Sequence, residues 1–171
     1  MTVAPPRLRS PRELLVDDLQ RLLAVETTLA KVMLPKLIEE VEDDELKSAL
    51  EQHLGETRTH AETLARAFDA LGEEKAGKDA PGLEGLKHEH DDDVTQISPA
   101  LRDGFDAGAA IGSEHYEIAI YSTALLIAES LGEEEVVTVL GDNLVQEFAA
   151  LKKLEGIAER LARVAAQATA A

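Results

Sequence analysis

The chain has 171 residues, no cysteine, and 34 acidic against 17 basic side chains. Its net charge of −17 disfavours nucleic acid and anionic membrane surfaces as partners and is compatible with attracting cations. The missing cysteines remove disulfides, thiolate zinc sites and iron–sulfur clusters, and no apolar run approaches the roughly 20 residues of a membrane span.

Residues 1–10 read as an N-terminal extension without the apolar core of a signal peptide, so the protein is expected to be cytoplasmic. Ser10 then offers an N-cap, Pro11 suits the first helical position and Glu13 completes a capping box, which predicts a first helix over 11–41. Its apolar seam runs Leu15, Leu19, Leu22, then Glu26, then Leu29 and Met33. Residues at that spacing share a face, and a carboxylate there must be protonated, paired or bound to a cation, because an isolated buried charge is very costly.

The turn Glu42-Asp43-Asp44 supplies a new cap for a second helix over 45–71, which Gly72 ends. On its seam, Leu46, Leu50, His53, Thr57, His60, Leu64, Phe68 and Leu71 follow one another. Glu56 lies to one side, three residues from His53 and four from His60, so either imidazole could share a metal with it. Residues 73–98 are polar, with a turn or two of helix expected near Leu83 to Glu89, and are long for a connection inside a compact domain. Such a segment has a use if it crosses the whole molecule.

Ser98-Pro99 opens a third helix over 99–131, which carries Glu114 and Glu117 with Ala107, Ala110, Tyr121, Leu125 and Ala128 on the side of Glu114. An opposite line of Tyr116, Ile120, Thr123 and Ile127 makes this helix apolar nearly all round, so either a homodimer or the crossover segment is expected to cover it. A fourth helix over 134–166, with a frayed tail over 167–171, repeats the broken seam: Val137, Leu140, Leu144, then Glu147, then Leu151, Leu154, Ala158 and Leu161. Two antiparallel hairpins joined by one long crossover predict an all-α, ferritin-like four-helix bundle in a single domain over 11–166.

The bundle core would then hold Glu26, Glu56 with His53 or His60, Glu114, Glu117 and Glu147. Carboxylate oxygens with imidazoles suit iron or manganese, and a pair of divalent ions balances about four carboxylates. Lys31, Arg58 and Lys152 fall off the seams, so the alternative of buried salt bridges lacks its cations.

The segments Glu51 to His60 and Glu114 to Gly132, with Glu84-Gly85-Leu86 in the crossover, resemble the YciE/YciF-like family of bacterial ferritin-like proteins over residues 11–163. The resemblance implies a rubrerythrin-like bundle, a di-iron centre, a dimer and a link to stress responses. Matched position by position, it implies Glu26, His53, Glu56, Glu114, Glu117 and Glu147 as ligands. The chain departs from the family in having Ala150 and Leu151 where a histidine often follows Glu147. It also has Asn143 and Gln146 at often acidic positions, and no cysteine or methionine before Glu84.

The leading functional expectation is oxidation of iron(II) with dioxygen or peroxide at two iron ions, with Tyr121 either a hydrogen-bond donor or relay near the metals or simply a core side chain. Manganese with a catalase-like reaction is the alternative within that class. A helical interaction protein with a structural metal is the alternative outside it, and a storage cage fits the alanine-rich tail poorly. The run from His88 to Asp93 is expected to be a solvated surface or an accessory cation site.

Overall fold

The computed structural model describes residues 8–169, and every regular element among them is helical. Helix α1 spans Pro11–Thr28 and passes through a π-helical turn at Leu29–Met33 into α2, Leu34–Glu40. Then come α3 at Asp44–Leu71, α4 at Pro81–Asp93, a single 3-10 turn at Val94–Gln96, α5 at Pro99–Leu131 and α6 at Glu134–Thr169.

The helix ends follow from local chemistry. Ser10 Oγ accepts the Glu13 N–H at 3.2 Å, and Asp43 Oδ1 accepts the Leu46 N–H at 2.9 Å. Helices α3 and α5 both close on a left-handed glycine, Gly72 at φ 67° and Gly132 at φ 71°, and the next N–H reaches back to Phe68 O and Ala128 O respectively. That is the Schellman arrangement, which only glycine adopts without strain.

Helices α1, α3, α6 and α5 pack in a ring, α1 against α3 and α5, and α6 against both α3 and α5. Leucines fill the interior above and below the middle of the bundle: Leu15, Leu19 and Leu22 with Leu64 and Phe68 towards one end, and Leu34, Leu46 and Leu50 with Ile157 towards the other. Each such side chain contributes about 1.5–3 kcal/mol on burial. Among the described residues, no helix is long and apolar enough to cross a membrane.

Two features differ from the sequence expectation. The first helix is not uniform, because Pro35 lacks an N–H to give to the Lys31 carbonyl and its ring crowds that carbonyl. The chain answers one turn upstream with a π turn, in which the Leu34 N–H bonds to Leu29 O. The crossover also holds much more helix than a turn or two. Pro81 starts α4, the ion pair Lys87–Asp91 (2.7 Å) and the contact of His88 with Asp92 (3.3 Å) support its charged half at i, i+4 spacing, and Leu83 anchors it in the core.

Helix α4 lies against the outer face of α5. Gly82 sits so close to Tyr116 that a Cβ there would fall 2.5 Å from the ring. The crossover therefore covers the Tyr116 end of the apolar outer line. Ile120 is buried, Ile127 half-buried and Thr123 exposed. Upstream, Lys78 pins the connection to α1 through Asp17 (2.7 Å) and through its backbone N–H to Gln20 O (3.3 Å).

Candidate metal centre

Midway along the bundle the leucine layers give way to charge. Glu26 on α1, His53 and His60 on α3, Glu114 and Glu117 on α5 and Glu147 on α6 are all buried, none more than 4% exposed. His53 and His60 are seven residues apart, two helical turns, so both point inward from one stripe about 10 Å apart along the axis. Thr57 lies between them. It is fully buried, and its hydroxyl donates to the His53 carbonyl at 2.9 Å.

These side chains gather into two sets of mutually close ligand atoms, each within 4.8 Å: His53, Glu114, Glu117 and Glu147 form one, and Glu26, His60 and Glu147 the other. Glu147 belongs to both. His53 Nε2 is 2.9 Å from Glu114 Oε1. His60 Nδ1 is 2.7 Å from Glu147 Oε1 and 3.4 Å from Glu26 Oε1. Each position thus receives one imidazole, both from α3, and the absence of a histidine after Glu147 leaves neither position without one.

Glu56 is the sequence-derived ligand candidate that falls outside both sets. Its side chain is about a quarter exposed, and its Oε2 faces the outer nitrogen of His53, Nδ1, at 3.8 Å. Helical geometry explains this: 60° off the stripe, Glu56 reaches the flank of the bundle while Thr57 takes the inward place.

The electrostatics fit cations. Six oxygens of the four buried glutamates receive no aligned hydrogen bond: Glu26 Oε2, Glu114 Oε2 and both from Glu117 and Glu147. Native interiors rarely tolerate this without a partner such as an ion. Lys31, Arg58 and Lys152 are exposed, and among the described residues only His53 and His60 pair with these carboxylates. Four carboxylates match the charge of two divalent ions. Without ions, burial pushes the Glu26, Glu117 and Glu147 carboxyls up, and neighbouring carboxylates push the same way at each. For His53 and His60 burial opposes protonation, but contact with the glutamates overcomes it, raising His53 well above its ordinary range and His60 to about 10. Without cations, these five groups all hold protons more tightly than they would in water.

Outside the ligand sets, polar side chains orient the members. The Tyr121 hydroxyl donates to Glu26 Oε1 and accepts from Asn143 Nδ2 at 3.1 Å, while Thr63 Oγ1 donates to Asn143 Oδ1 at 3.1 Å. Burial and the nearby glutamates raise the Tyr121 pKa, which keeps its proton available to Glu26. His60 Nε2 faces Gln146 Oε1 at 3.2 Å, so this nitrogen carries the hydrogen and Nδ1 is left for a cation. Sequence reading registered Asn143 and Gln146 only as departures from a family pattern. Their spacing of four and one from Glu147 was the available signal.

The run from His88 to Asp93 contributes to neither set. His88 is exposed, while His90 turns inward to fully buried Asp106 at 2.8 Å and stacks on Phe105 with ring centroids 5.2 Å apart, fastening α4 to α5.

A four-helix bundle that pools buried glutamates and imidazoles around two adjacent positions is a ferritin-like carboxylate bundle with a possible metal centre. The chain belongs to a family described as a domain of unknown function, DUF892, whose model matches residues 10–167. It is 30% identical to Protein YciF of Escherichia coli K12 over 127 residues, 73% of this chain and 76% of that protein. Among solved structures it resembles YcfI of Rhodopseudomonas palustris, presumed a structural protein, with a TM-score of 0.85, 33% identity, and 90% and 98% of the two chains covered. The crystal structure of the E. coli stress protein YciF is equally similar in fold, with a TM-score of 0.85, 26% identity, and 91% and 99% covered.

Proposed function

We propose that the centre binds a pair of iron ions and that the protein oxidises iron(II) with peroxide or dioxygen. The observation that carries the reading is the set of four buried glutamates whose oxygens lack donors, arranged as two ligand sets around a shared Glu147. Bound iron supplies the one-electron couple that no side chain here provides.

The side chains do the rest. Glu147 belongs to both ligand sets and would hold two ions side by side, as a two-electron oxidant requires. Glu114 and Glu117 with His53 hold one position, and Glu26 with His60 the other. Carboxylate oxygens favour the higher charge of iron(III), which lowers the cost of giving up the electrons. Tyr121, by donating to Glu26, fixes which oxygen of that carboxylate faces inward. The leucine layers on either side exclude bulk water. In balance, two iron(II), one peroxide and two protons give two iron(III) and two waters.

Stress protection and a homodimer belong to the same reading. The first is supported by the likeness to the E. coli stress protein, and the second by the open end of the α5 outer face, where Thr123 is exposed and Leu126 is 65% exposed. A non-catalytic helical interaction protein, in which any metal only stabilises the bundle, is the second reading; the description of the R. palustris relative as a structural protein favours its non-catalytic part.

Anaerobic iron(II) titration of the metal-free protein, followed by peroxide and separately by oxygen, tests the function. The expected result is two irons bound per chain and one peroxide consumed per pair, with near-ultraviolet absorption of oxidised iron. Iron held without any oxidant being consumed would leave the structural reading standing. The same titration with manganese(II) separates the two metals.

A further inference from the structure

A buried centre must be reached, and the bundle is open to it on one side. Between α3 and α6 lies a cleft of about 180 Å³, enough for several waters, lined among others by Gln52, His53, Glu56, Ala149, Ala150 and Lys153. It exists because alanines face alanine there: Ala49 on α3 meets Ala149 and Ala150 on α6, and none is large enough to close the gap. Its inner wall is His53, which is 4% exposed and belongs to one of the two ligand sets. The outer nitrogen of that ring, Nδ1, has no hydrogen-bond partner.

Glu56 stands between solvent and this wall. Its Oε1 accepts from Gln52 Nε2 at 2.8 Å, and Gln52 Oε1 in turn accepts from Lys153 Nζ at 2.9 Å. That chain holds one carboxylate oxygen at the rim, while Oε2 faces His53 Nδ1 at 3.8 Å. A side chain 27% exposed, touching solvent with one oxygen and a buried ligand candidate with the other, is poorly placed to hold a resident ion and well placed to pass one inward.

Resting on the two-ion reading above, we infer that the α3–α6 cleft is the inlet for divalent cations and that Glu56 is the carboxylate that captures each ion at the rim and hands it to the ligands beside His53. A carboxylate in a confined mouth raises the local cation concentration and lets a hydrated ion exchange waters for protein oxygen stepwise. Lys153 opposes this as a positive charge at the rim, which makes the inlet tunable in both directions. Glu56 is a positioning residue for the incoming ion, and the resident ions are held without it.

Cobalt(II) is the probe, because its visible absorption reports inner-shell binding without redox chemistry. Stopped-flow mixing with the metal-free full-length protein gives the association rate, and equilibrium titration gives stoichiometry and affinity. In Glu56→Gln the association rate is expected to fall on the order of ten-fold, with two ions still bound and dissociation slowed by a similar factor. Lys153→Gln should speed association. Ala149→Phe, which narrows the cleft without altering any polar group, should slow it. A Glu56→Gln protein with an unchanged association rate overturns the inlet. So does one that loses an ion or binds weakly through faster dissociation, because Glu56 would then be a ligand or a support for His53. If the parent protein binds no cobalt at all, the metal centre itself fails and the inlet with it.

Discussion

Replacing Glu147 with alanine is expected to remove both bound ions, whereas replacing Glu26 with alanine removes one. Glu147 is the single residue present in both ligand sets, while Glu26 belongs only to the set with His60. Loss of an outer hydrogen-bond partner to a metal ligand already costs about 10–100-fold in affinity, so loss of a ligand shared by two ions should exceed about a hundred-fold at each. Without its carboxylate, each set also keeps like-charged neighbours with one fewer ligand to close around a cation. Equilibrium cobalt(II) titration of the three proteins reads the result directly as two, none and one ions per chain. Circular dichroism should show all three folded, because the Glu147 carboxyl receives no aligned hydrogen bond and the Glu26 carboxyl receives only that of Tyr121, whose hydroxyl keeps Asn143 as a partner. Retention of both ions by the Glu147 variant would show that the two sets do not share it.

The second large effect is on stability, and it separates the metal-free from the loaded protein. In the metal-free state His60 holds a proton up to about 10 rather than its ordinary 6.5, and His53 moves the same way. A group with a raised folded pKa contributes stability that is complete below the unfolded value and is lost as pH rises through the folded one. Glu26, Glu117 and Glu147 are also raised, so above about pH 4.5 the folded chain keeps protons that the unfolded chain has released. All five groups therefore make the metal-free protein less stable as pH rises. Each pKa unit is about 1.4 kcal/mol, so a loss of roughly a few kcal/mol is expected between pH 6 and 9. The carboxyls held low by ion pairs or hydrogen bonds, Glu13, Asp43, Glu56 and Asp91, act only below the ordinary carboxylate range and leave this window alone. Bound ions replace the protons, so the loaded protein should show little of this slope and should gain affinity with pH as protons compete less. Urea unfolding at fixed ionic strength, with and without saturating metal, measures both curves. A metal-free protein whose stability is flat or rises over that range would contradict the assignment of protons to the centre. Replacing Glu117, which has neither hydrogen-bond nor ion-pair partner among the described residues, with glutamine should reduce the slope.

Much of this centre was legible because buried charge interrupts a periodic apolar pattern. Glu26 and Glu147 each occupy a position where the helical repeat calls for a leucine, and a repeat of that kind survives translation into structure. His53 and His60 were legible for the same reason, but not their division of labour. Spacing left either one able to partner Glu56, and the bundle instead gives one imidazole to each position. Glu56 shows the limit of spacing arguments: a residue 60° off the stripe can point inward or outward depending on how α6 packs against α3. Sharing of Glu147 depends on distances between four helices, which no single-helix pattern contains.

Elsewhere the misses have local causes. The first helix reads as continuous over 11–41 because its apolar seam runs on past Glu26, and that seam carries no sign of the π turn by which the chain accommodates Pro35. The charged half of α4 reads as a loop by composition, yet its Lys87–Asp91 pair at i, i+4 and the dock of His90 on Asp106 and Phe105 make it helix. The apolar outer line of α5 calls for cover by a second copy or by the crossover, and the crossover packs on its Tyr116 end.

Diffraction at the iron absorption edge, from crystals loaded anaerobically with iron(II), tests the central claim most directly. Two anomalous peaks are expected on either side of Glu147, one among His53, Glu114 and Glu117 and the other between Glu26 and His60. A bundle with these side chains in place and no peak beside Glu147, or iron bound only at the surface acids, would contradict it.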